Sequence, residues 1–184
     1  MSPLLPPRIG YHLGMPSIEI KPVTRSDAAE LIQANIESRS YHAPWMQPLT
    51  DAEGFEEWFD GLFTGAKVGL IARSIQSGGI VGVMNLSQIF RKGFQNAYLG
   101  YYGMIAFARR GLMTEAVRLT VSYAFDEIGL HRLEANIQSA NLPSKALIQR
   151  VGFRKEGFSP RYLRINGVWC DHERWALLAD DQRS

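Results

Sequence analysis

The stretch from Asn96 to Gln138 constrains the fold more than any other part of the chain. It reads as a long strand over 96–107, rich in Tyr and Ile, then a helix over 111–128, then a second strand over 131–138. Leu112, Ala116, Leu119, Tyr123 and Ala124 or Phe125 recur on one helical face, and Gly129 is a natural stop. In the second strand Leu133, Ala135 and Ile137 alternate with Arg132, Glu134 and Asn136, the pattern of a half-buried strand. A strand–helix–strand unit of this kind is a crossover connection, so part of the sheet runs parallel.

The flanking segments read as an antiparallel meander with helices. A short strand over 18–22 precedes a helix that Ser26 caps and that runs to about Arg39, with Asp27 and Glu30 in its first turn. Residues 40–48 break it, and a second helix over 51–63 carries Phe55, Trp58, Phe59 and Leu62 at helical spacing. Strands over 67–75 and 80–90 meet at Gln76-Ser77-Gly78-Gly79, where two glycines supply positive φ angles. A helix over 142–151 stops at Gly152, and two last strands turn at Asn166-Gly167. The fold class is α+β: one mixed, mostly antiparallel central sheet flanked by helices on both faces.

A length of 184 residues suits one domain, with residues 1–17 as a flexible N-terminal arm and 18–184 as the domain itself. The arm lacks the basic-then-apolar order of a signal peptide, and no apolar run approaches the ~20 residues of a membrane span. Cys170 stands alone, which excludes an internal disulfide and fits a reducing, cytoplasmic setting; within a strand it reads as structural. A net charge of +2 is too small to argue for a nucleic-acid partner. Four histidines and one cysteine show no metal-ligand spacing, so no metal is expected.

The chemistry concentrates in Ala108-Arg109-Arg110-Gly111-Leu112-Met113-Thr114-Glu115-Ala116, where a strand ends and the long helix begins. A helix start offers unpaired N–H groups and the positive end of the macrodipole, and a glycine lets an anion approach closely. Arg109 and Arg110 add charge-assisted donors for phosphates. The pattern is neither a P-loop nor a dinucleotide fingerprint.

Read with its downstream segments, this stretch resembles the GNAT superfamily of acetyl-coenzyme A-dependent acetyltransferases, and within it the branch that acetylates the N-terminal alanine of ribosomal proteins. Residues 98–101 and 111–116 resemble that family's coenzyme-binding strand and helix. Asn141-Leu142-Pro143-Ser144-Lys145-Ala146-Leu147 and Val151-Gly152-Phe153-Arg154-Lys155-Glu156-Gly157 match its second motif, and Pro44-Trp45 and the tail 166–172 are also typical. The likeness spans roughly residues 18–178. The family's loop usually begins with Gln or Arg; Ala108 stands there in this chain, which implies weakened rather than abolished coenzyme binding.

The resemblance implies acetyl-CoA as co-substrate and direct attack of a primary amine on the thioester, without an acyl-enzyme. Met104, Ile105 and Ala106 would supply backbone donors for the thioester and pantetheine arm. Arg109, Arg110, Gly111, Leu112, Met113 and Thr114 would hold the pyrophosphate. Ser144 would protonate the departing thiolate, though it also reads as a first-turn serine, and Asn141 either bonds the coenzyme or caps its helix. Glu134 is the first choice of proton acceptor, acting through water, with Tyr102, Tyr162 and His172 as others. Tyr41, Trp45 and Tyr102 would line the acceptor cleft; Trp58 and Trp175 read as core.

The resemblance implies a protein N-terminus as acceptor, with a ribosomal protein as the candidate partner, and a homodimer. A small amine such as a polyamine, amino acid or aminoglycoside is the alternative, because acceptor choice lies in the loops 40–50 and 158–170. A second alternative, motivated by Ala108, is a binding module that keeps the fold without activity.

Overall fold

A computed structural model describes residues 17–182, so the expected arm lies outside the described residues except for Ser17. Seven strands among them form one sheet: β1 (Ile18–Pro22), β2 (Val68–Ser74), β3 (Ile80–Phe90), β4 (Asn96–Gly103), β5 (Arg132–Gln138), β6 (Arg154–Ile165) and β7 (Val168–Leu178). In space the order is β1-β2-β3-β4-β5-β7-β6, and only β4 and β5 pair in parallel. The crossover between them is α4 (Leu112–Ser122), extended by a π-helical turn over Tyr123–Glu127.

Strand alternation sends side chains to two cores. Ala97, Leu99, Leu133, Ala135 and Ile137 face α4 and α5 (Leu142–Val151), where Ala116, Val117, Val121 and Ile148 meet them. The opposite face is covered by α1 (Ala28–Glu37) and α3 (Ala52–Asp60): Leu31, Phe55 and Phe59 pack on Ile71, Val83 and Met104. A short α2 (Arg39–His42) lies between these two helices, and α6 (Ala179–Gln182) follows β7.

Four local expectations are corrected. The first helix is not capped by Ser26: Thr24 precedes a 3-10 turn, and the Asp27 carboxylate accepts from the Thr24 N–H at 2.8 Å. The chain also stays helical through His42, inside the segment expected to be irregular. At the β2–β3 turn only Gly78 has a positive φ. The strand expected to reach Phe107 ends at Gly103: Met104 still donates to the Val81 carbonyl of β3, and a 3-10 turn over Ile105–Phe107 then begins.

Two glycines lie at that end. Gly82 and Gly103 face each other across β3 and β4, and Met113 from the first turn of α4 fills the space above both. A Cβ on Gly82 would lie 2.4 Å from Met113 Sδ and 2.6 Å from the Tyr102 carbonyl oxygen. The thioether can move, but the carbonyl belongs to the strand. Gly82→Ala should therefore destabilise the fold by about 1–3 kcal/mol through overpacking. Thermal unfolding checks this, and an unchanged melting temperature would show that the contact has room to relax.

Candidate functional site

Parallel pairing of β4 and β5 lasts only for Asn96↔Arg132, Ala97↔Leu133 and Tyr98↔Glu134. Beyond that point each strand follows its outer neighbour. β4 stays paired with β3 as far as Gly82↔Gly103, and β5 with β7 as far as Gln138↔His172. The two strands therefore part into a wedge whose facing N–H and C=O groups, on alternate residues, have no ladder partner. Exposed backbone donors and acceptors in one line suit an extended ligand that carries amides of its own.

At the open end of the wedge α4 begins. Gly111 is left-handed with φ +78°, and Arg109 also has positive φ at +60°. Thr114 and Glu115 donate to the Gly111 carbonyl, while the N–H groups of residues 109–113 have no hydrogen-bond acceptor among the described residues. Free N–H groups at a helix start are suited to holding an anion. Arg109 is exposed; the Arg110 guanidinium lies 5.7 Å from the Phe107 ring and lines a hollow with Ser17, Ser74 and Gln76. Thr114 and Leu112 are half-buried, and Met113 offers the loop its backbone only, since its side chain packs on Gly82 and Gly103.

Two donors expected to serve the thioester are already used. The Met104 N–H bonds the Val81 carbonyl at 2.8 Å and the Ile105 N–H bonds Ser38 Oγ at 3.1 Å. Ala106 remains exposed at the 3-10 turn. Ser38 and His42 thus clamp the end of β4 from the other face, His42 Nε2 lying 2.8 Å from the Gly103 carbonyl oxygen. Burial pushes the His42 imidazole below its ordinary value against the opposing effect of that carbonyl. As Nε2 donates to the carbonyl, Nδ1 is left buried without a partner.

On the α4 face of the wedge, Asn141 Oδ1 accepts from the Ser144 N–H at 3.1 Å, so Asn141 caps α5. The Ser144 hydroxyl meets the Tyr101 phenol at 2.7 Å. Tyr101 lies in the 98–101 stretch that resembles the coenzyme-binding strand, but sequence reading assigned it no role of its own. Its alternation with Ala97 and Leu99 puts it on the face from which α5 approaches, and that was the available signal.

On the other face, Glu134 stands beside Tyr98 where the strands part, and its Oε1 accepts from Arg132 Nε at 2.8 Å. Arg132 also pairs with Glu156. Burial and the Glu134 carboxylate push the Tyr98 phenol up. Asn136 and Tyr162 come within 3.4 Å, and His172 is buried beside Tyr162 with Nδ1 against the Cys170 carbonyl. Trp45 is half-buried, its carbonyl accepting from Gln138 Nε2 at 2.8 Å, and Asn166 at the β6–β7 turn reaches the Ala43 carbonyl. Tyr41 is exposed next to His42. Tyr102 packs edge-on against His42, and burial pushes its phenol up to about 12, which unsuits it as a base. Ser144 and Glu134 therefore sit on opposite faces of one opening. No described helix is long and apolar enough to cross a membrane.

Residues 17–154 match the model of the acetyltransferase (GNAT) domain family. The chain is 34% identical over 183 residues to the probable N-acetyltransferase YjcK of Bacillus subtilis, an alignment covering 90% of this chain and 96% of that protein. It is 29% identical to the [ribosomal protein uS5]-alanine N-acetyltransferase of Escherichia coli, over 94% of this chain and 96% of that one. Among solved structures, Mycobacterium smegmatis RimJ in complex with CoA-disulfide superposes with a TM-score of 0.82 at 26% identity, covering 92% of this chain and 86% of that one.

Two outcomes are expected. Gly111→Asp places a β-carbon at a left-handed position and a negative charge at the anion site, so calorimetric affinity for coenzyme A should fall at least about tenfold. Affinity equal to wild type would move the pyrophosphate elsewhere. Separately, the unfolded chain protonates His42 near its ordinary value of about 6.5 while the folded protein resists it. Stability should be complete above that pH and decline as pH falls through it toward the depressed folded value. Melting temperatures measured against pH should show this slope in wild type and a shallower one in His42→Gln.

Proposed function

The chain belongs to the GNAT acetyltransferase family, and from that premise we propose that it transfers the acetyl group of acetyl-coenzyme A to the N-terminal amine of a protein. It is an N-acetyltransferase with acetyl-coenzyme A as co-substrate; the acceptor and the residue roles are our reading. Residues 18–184 act as one acetyltransferase domain on this reading.

The observation that carries it is the wedge between β4 and β5, with a helix start at its open end, Ser144 on one face and Glu134 on the other. The coenzyme pyrophosphate would take the free N–H groups of residues 109–113, and the pantetheine amides the unpaired backbone of β4. The acceptor would approach from the opposite face, past Tyr98, Asn136, Tyr162 and Trp45. An α-ammonium has a pKa of about 8, so removing its proton needs modest help. Glu134, with Oε1 held by Arg132, would accept that proton through water by its other oxygen. The nitrogen attacks the thioester carbonyl, the tetrahedral intermediate collapses, and the thiolate leaves with a proton from Ser144. A peptide is favoured over a small amine because the wedge also bares backbone groups of β5, which an extended chain can pair with. The uS5-alanine specificity of the Escherichia coli relative agrees with this preference.

Short peptides beginning with Ala or Ser, compared with spermidine, test the acceptor. Mass spectrometry should find acetylation at the peptide α-amine with the higher kcat/KM, and faster turnover of spermidine would reverse the assignment. Ser144→Ala should lower kcat by about 10²-fold or more with coenzyme affinity retained. An unchanged kcat removes Ser144 from the mechanism.

A further inference from the structure

We infer that Tyr101 is a positioning residue for this reaction: its phenol orients the Ser144 hydroxyl so that the serine proton faces the departing sulfur. The inference rests on the reading of Ser144 as proton donor. Tyr101 lies on β4 and Ser144 in the first turn of α5, 43 residues later. They meet beside the wedge, the phenol oxygen 2.7 Å from Ser144 Oγ and 3.2 Å from the Ser144 carbonyl oxygen.

Counting protons shows what the pair can do. Each hydroxyl has one proton, and the carbonyl can only accept. If the phenol donates to the carbonyl, the 2.7 Å contact must be made by the serine proton, which then points at Tyr101 and away from any ligand. If the phenol donates to Oγ, the serine proton is free to turn to a third atom. A thiolate placed beside Oγ selects the second arrangement, because it is a strong acceptor. The Asn141 cap fixes the Ser144 backbone, so the phenol and the sulfur compete only for the direction of one O–H bond. Burial pushes the Tyr101 phenol up to about 12, which keeps it a donor at working pH.

The amine nitrogen forms a bond to the acetyl carbon, and the carbon–sulfur bond breaks with its electron pair on sulfur. The Ser144 O–H breaks and an S–H bond forms. Oγ keeps the electron pair and accepts the Tyr101 hydrogen bond until it regains a proton from solvent, replacing the one the amine released.

Tyr101→Phe removes one hydroxyl and keeps the ring. Its kcat should fall about tenfold, the order of one lost hydrogen bond to a charged group, with KM for acetyl-coenzyme A little changed. In a Ser144→Ala background the same substitution should cost nothing further. Equal losses in both backgrounds would overturn the inference, as would a Tyr101→Phe enzyme with wild-type kcat. Ser144→Ala without effect defeats the reading of Ser144 itself, whereas an impaired Ser144→Ala beside a silent Tyr101→Phe defeats only the role of Tyr101. If Tyr101→Phe does not fold, 3,5-difluorotyrosine at position 101 retains ring and hydroxyl with a more acidic phenol. The alkaline fall of kcat should then begin at lower pH, and an unmoved profile counts against the role.

Discussion

The parting of β4 from β5 after Tyr98 and Glu134 is the constraint on which the rest of the site depends. A continuous ladder would satisfy the backbone of both strands and leave no opening. Here each strand is held from outside, β4 by β3 and β5 by β7, so the wedge costs only the hydrogen bonds that a ligand can replace. It also divides the chemistry. Side chains on alternate residues reach opposite faces, which separates Tyr101 and Ser144 from Tyr98 and Glu134.

The wedge is braced at its end by contacts from distant parts of the chain. Met113 sits on the glycine pair Gly82 and Gly103, which ties the start of α4 to the end of β4. Ser38 and His42 hold Ile105 and Gly103 from the opposite face. The start of α4 and the segment between α1 and α3 are thus fastened to the same few residues of β4.

Much of this was legible before the structure because the signals are local. The alternation of Leu133, Ala135 and Ile137, the helical spacing after Gly111 and the glycines at 129 and 152 act within a few residues, and they identified the crossover and the helix start. The resemblance to the acetyltransferase family then supplied the ligand. What stayed hidden depends on partners far away in sequence. Just past the end of β4 the Ile105 N–H is taken by Ser38, 67 residues earlier. Asp27 and Thr24, rather than Ser26, organise the first helix start because Arg73 also binds that carboxylate at 2.7 Å. Tyr101 looked like one more strand aromatic, and its role becomes visible only when α5 brings Ser144 against it.

The most direct test of the account is to map the backbone amides of isotope-labelled protein by NMR as coenzyme A is added. The largest shifts should fall in residues 99–103 and 109–113, with smaller ones in 135–138, tracing the wedge from its interior to the helix start. If those amides stay still while the shifts gather on the β6–β7 hairpin or along α1, the wedge is not the coenzyme site and the account fails at its centre.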